Sequence, residues 1–65
     1  MNLHDIKTFI RDYITNCGFS PSDWDVDAWA REARDYMAAH GLTDCDAIDA
    51  DVWTMMAQGN DRTGA

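Results

Sequence analysis

The chain has 65 residues, 46% of them hydrophobic, with three Trp, two Tyr and two Phe, so it forms one domain and is too rich in large apolar side chains to be an intrinsically disordered polymer. Twelve acids, eleven of them Asp, oppose four Arg and one Lys; the net charge of −7 repels phosphate backbones and anionic membranes, which argues against direct nucleic-acid binding and favours basic partners. No apolar run is long enough for a signal peptide or a membrane span, so the expected location is cytoplasmic and the two cysteines are expected to be reduced thiols.

The apolar positions Leu3, Ile6, Ile10, Tyr13, Ile14 and Cys17 recur at three- and four-residue steps, which predicts a first helix over about residues 3–17 with Gly18 as its stop. Ser20-Pro21 follows as a turn or short helical start. Val26, Trp29, Ala30, Ala33, Met37 and His40 repeat the spacing over residues 26–40 and end at Gly41. A shorter pattern through Val52, Trp53 and Met56 predicts a third helix over residues 50–58, ending at Gly59. The remaining NDRTGA is polar, so residues 60–65 are expected to fray beyond a bundle formed by residues 1–59.

WDVDAW at residues 24–29 and IDADVW at 48–53 each place a pair of aspartates before a tryptophan. As an N-cap, Asp25 accepts hydrogen bonds from free backbone amides, Asp27 sits where the helix dipole favours negative charge, and Trp24 reaches Trp29 as a hydrophobic staple. Asp49, Asp51, Ile48 and Trp53 repeat that solution, and Asn2 with Asp5 forms a capping box at the first helix. A calcium loop fits poorly. Asp23, Asp25 and Asp27 match its first three ligand positions, but its glycine and bidentate glutamate positions hold Ala28 and Arg34.

The absence of strand alternation and the length of the two connections predict an all-α, compact antiparallel three-helix bundle. Its expected core is Leu3, Ile6, Ile10, Tyr13, Ile14, Val26, Trp29, Ala30, Ala33, Met37, Val52, Trp53 and Met56, closed at the ends by Phe19, Leu42 and Ile48.

Little in this chain looks like catalytic chemistry. His4 and Cys17 stand thirteen residues apart on one helix, about 20 Å at about 1.5 Å per residue, so they cannot share a zinc ion with each other. Cys17 reads as a small core residue, His40 as a cation near a helix C-terminus, and His4 and Cys45 as surface or boundary positions. No nucleophile has a base beside it and most acids act as caps or lie exposed, so neither an enzymatic function nor a cofactor or metal is expected.

Binding is the better prospect. The acids left over after capping include Asp23, Glu32, Asp35, Asp44 and Asp46; those in the two connections form patches at opposite ends of the bundle. Trp24, Tyr36 and Met55 are hard to bury together in so small a body, and aromatic or Met side chains in an acidic surround are the usual composition of a protein-binding hot spot. These eight residues are the expected partner-binding set.

The size, the acidity, the single helical domain and the stretch YITNCGFSPSDWDVDAWAREA resemble the small accessory proteins of phages and mobile elements, a group that includes anti-CRISPR proteins. The resemblance implies a stoichiometric inhibitor that covers the nucleic-acid site of a host defence protein without chemistry; the group shares no motif, so no residue role carries over. Cys17-Gly18-Phe19 is similar to a loop of ubiquitin-associated domains, but the second helix is too long for that fold. A helix-turn-helix reader is also disfavoured, because ADVWTMMAQ at residues 50–58 carries no Lys or Arg for the major groove. The expected partner is a basic, nucleic-acid-handling host protein. The alternative is a small regulatory or assembly subunit, antitoxin-like or a homodimeric adaptor, that binds through the Trp and Met face of the third helix.

Overall fold

The computed structural model describes residues 1–62. Three helices, α1 (Leu3–Asn16), α2 (Val26–His40) and α3 (Ala50–Gly59), form the expected all-α bundle. Single 3₁₀ turns at Pro21–Asp23 and Cys45–Ala47 sit in the two connections.

Each helix begins as its local sequence dictates. The Asn2 side chain accepts from the Asp5 amide at 2.8 Å, Asp25 from the Ala28 amide at 3.1 Å, and Asp49 from the Asp51 amide at 2.9 Å. Each cap satisfies an amide that the first turn leaves without an intrahelical partner. Asp44 does the same for the second 3₁₀ turn, accepting from the Asp46 amide at 3.1 Å. It was expected only as a surface charge.

Glycine ends the first two helices. Gly18 and Gly41 adopt φ of 89° and 65°, which lets the Phe19 amide reach back to the Ile14 carbonyl and the Leu42 amide to the Met37 carbonyl. The third helix runs through Gly59 and is closed by Asn60.

The core is a stripe of Ile6, Ile10 and Ile14 from α1 against Trp29, Ala30, Ala33 and Met37 from α2, with Trp53 and Met56 of α3 laid on top. The two alanines leave room for close approach of α1, and Trp29, 0% exposed, fills the centre. Its ring centroid lies 5.7 Å from Trp24, 6.1 Å from Tyr13 and 5.0 Å from Trp53. The Trp24–Trp29 contact is the staple expected from the spacing.

Five expectations need correction. Tyr13 is 40% exposed and Phe19 57% exposed rather than buried. Tyr13 points toward the flank where α3 sits and packs by its edge on Trp29 and Trp53, while Phe19 follows the left-handed turn at Gly18 away from the bundle and only touches Trp24. Cys17 caps α1 and is exposed, whereas Cys45 is buried at 3% because its 3₁₀ turn tucks inward. The tail is also docked as far as described. Asn60 is buried, its Nδ2 donates to the Met56 carbonyl at 2.8 Å, and its own carbonyl accepts from the Asp25 amide at 2.9 Å. The Arg62 amide then donates to the Asp23 carbonyl at 2.9 Å. Residues 63–65 lie outside the described residues.

Candidate functional site

The eight expected binding residues do not form one surface. Asp23 lies in the first 3₁₀ turn and is exposed, while Trp24 beside it is half-buried between Phe19 and Trp29. Trp24 therefore serves the fold more than a partner. Glu32 and Asp35 lie on the solvated face of α2. Tyr36 is half-buried and stacks on the His40 ring at 4.1 Å, one turn along the same helix. Asp44 and Asp46 flank Cys45 in the other connection, separated from Asp23 by α2, whose fifteen residues span about 20 Å. Met55 is 69% exposed on α3, with exposed Asp51 and Gln58 as its helix neighbours.

The distribution of ion pairs separates these acids into two kinds. Lys7 of α1 pairs with Asp27 in the first turn of α2, Arg31 approaches the same carboxylate at 3.5 Å, Arg62 meets Asp25 at 2.8 Å and Arg34 meets Asp35 at 3.4 Å. Three of these four pairs thus converge on Asp25 and Asp27 at the start of α2. Asp25 is held below the ordinary carboxylate range first by the Arg62 hydrogen bond and then by the Ala28 amide, and Asp27 is held low by Lys7. Asp23, Glu32, Asp44 and Asp46 form no ion pair among the described residues, so their charge is left to the solvent.

A concave site lies where none was expected. Phe9 and Tyr13 of α1, Trp53 of α3, and Cys45, Asp46 and Ile48 of the second connection line a groove of about 280 Å³. Phe9 and Tyr13 stand one turn apart, and each ring lies 5.6 Å from the Trp53 ring at 86° to it. The groove takes shape because Trp53 of α3 packs on Phe9 and Tyr13, which lie beside the isoleucine stripe of α1 that faces α2. Of the expected binding residues, only Asp46 lines it. Phe9 could have been found from its four-residue spacing to Tyr13, which marks a second apolar stripe on α1.

The ionisable groups of this groove are poorly suited to nucleophilic chemistry. Burial, with Asp44 and Asp46 on either side, pushes the Cys45 thiol up to about 11, the wrong direction for a thiolate. Burial and the neighbouring Cys17 raise the Tyr13 phenol above its ordinary value. Among the described residues no three His, Cys, Asp or Glu side chains converge as metal ligands, and no helix is long and apolar enough to cross a membrane. A thiol-specific reagent at neutral pH should therefore label Cys17 in the folded protein and Cys45 only after denaturation. Mass spectrometry of the labelled peptides checks this, and equal labelling of both in the native protein would contradict the burial of Cys45.

No protein family, curated protein or solved structure matches the chain.

Proposed function

We propose that this protein is a non-enzymatic, acidic binding protein that occupies the nucleic-acid-binding site of a basic host defence protein, in the manner of the anti-CRISPR proteins it resembles. The observation that carries the reading is the sorting of charge. Asp25 and Asp27 at the start of α2 take three of the four ion pairs among the described residues, so the acids at Asp23, Glu32, Asp44 and Asp46 present charge that no cation neutralises on a helical body. A body with net charge −7 is steered toward surfaces that otherwise hold phosphates.

The test uses a purified CRISPR effector complex and its labelled DNA. Added protein should suppress DNA binding at stoichiometric ratio, with apparent affinity falling steeply between low and physiological salt. Combined Asp23→Lys and Glu32→Lys reversal should weaken inhibition about tenfold or more, roughly 1.4 kcal/mol. Asp44 is left unchanged because its carboxylate caps a turn. Inhibition indifferent to both salt and reversal would overturn the charge mechanism.

The exposure of Met55 supports a second reading, an adaptor or regulatory subunit that docks through α3. Binding that survives the charge reversals and fails on Met55→Asp would favour it.

A further inference from the structure

We infer that the groove between α1 and α3 seats a single cationic side chain, Arg or Lys, projected by a basic protein partner. The inference rests on the acidic-binding reading and gives that surface a specific point of recognition.

The lining chemistry selects the occupant. Phe9 and Tyr13 stand at 86° to Trp53 with centroids 5.6 Å from it, so three aromatic rings bound one small concavity. Aromatic faces carry negative quadrupole potential and attract cations, the more so as water is excluded. Asp46 supplies a carboxylate with no ion pair among the described residues. None of the lining residues is basic, so no cation of the lining satisfies that carboxylate.

Other occupants fit worse. An apolar side chain would desolvate Asp46 without compensating it, and an anion would meet like charge from Asp46 and Asp44. A guanidinium or ammonium on an aliphatic stem satisfies both halves of the lining, its stem against the rings and its head against the carboxylate.

The probe is an N-acetylated tetra-arginine amide, titrated into the isotope-labelled full chain at low salt and followed by NMR, with tetra-glutamate as the control. Shifts should concentrate on the Trp53 indole N–H, the Phe9 and Tyr13 rings and Asp46, and tetra-glutamate should produce none. Tyr13→Leu and Asp46→Asn should each weaken the peptide about three- to tenfold, while Asp12→Asn, exposed on α1 outside the groove lining, leaves the groove shifts in place. Tyr13→Leu keeps apolar bulk against Trp29 and Trp53. Asp46→Asn alters an exposed carboxylate and keeps the test decisive should Tyr13→Leu fail to fold. Shifts spread evenly over Asp23, Glu32 and Asp46, with both groove variants binding like the wild type, would overturn the groove and leave the acidic-surface reading standing. Absence of any peptide binding, together with salt-independent partner binding, would overturn both.

Discussion

Trp29→Ala should remove about a third or more of the stability and lower the melting temperature by more than about 10 °C. The side chain is 0% exposed and its ring meets Tyr13, Trp24 and Trp53 at 5.0 to 6.1 Å, so truncation empties the point where all three helices meet. Deleting a buried aromatic costs about 3–5 kcal/mol, because the lost transfer energy adds to a cavity that rigid helices only partly collapse. At roughly 0.05–0.15 kcal/mol per residue, a chain of 65 residues has about 3–10 kcal/mol in total. One substitution therefore removes a third or more of the stability.

Two comparison variants isolate the mechanism. Trp29→Phe should cost less, because it keeps an aromatic ring and removes an indole N–H that is buried without a hydrogen-bond partner. An orphaned donor of that kind costs about 1–3 kcal/mol, which offsets part of the lost area. Met55→Ala, at an exposed position, should stay within about 0.5 kcal/mol of the wild type. Thermal melts by far-UV circular dichroism measure all three. A Trp29→Ala melt that overlays the Met55→Ala melt would show that the tryptophan is not the keystone of the core.

What the sequence reveals follows from how local the physics is. N-caps and glycine stops act within one turn, so Asn2, Asp25, Asp49, Gly18 and Gly41 could be assigned from spacing alone. The side to which a stripe turns is not local. Assigning one apolar face to α1 put Tyr13 in the core and overlooked Phe9, because the helix serves two neighbours: isoleucines face α2, and Phe9 with Tyr13 faces α3. The groove depends on three separated segments meeting, so no single stretch announces it. Cys45 follows the same rule. Its burial comes from the direction of a three-residue turn, which hydrophobic periodicity does not encode.

The tail shows the same limit most clearly and gives the second large expected effect. A chain ending at Gly59 should melt about 5–20 °C lower than the full protein, from about 1–3 kcal/mol lost in a domain of this size. Composition marks NDRTGA as solvent-loving, but its docking uses main-chain groups that every sequence carries. Truncation strips the Asp25 amide of the Asn60 carbonyl at 2.9 Å and the Asp23 carbonyl of the Arg62 amide at 2.9 Å, and exposes the end of α3 that Asn60 covers. It also unties the α1–α2 connection from α3. Arg62→Gln separates the ion pair from these backbone bonds. Asp25 lies below the ordinary carboxylate value in the folded chain, chiefly through Arg62, so its contribution is present above about pH 4 and is lost as the pH falls through the folded value. Acidification also relieves the repulsion of a net charge of −7, which acts in the opposite direction. The difference between wild type and Arg62→Gln cancels most of that shared repulsion. It should shrink on acidification, and the Asp25 carboxyl should titrate higher in Arg62→Gln when followed by carbon-detected NMR. An unchanged Asp25 titration would show that Arg62 does not hold the tail through its charge, while an unchanged melt for the truncated chain would show that residues 60–62 lie on the bundle without supporting it.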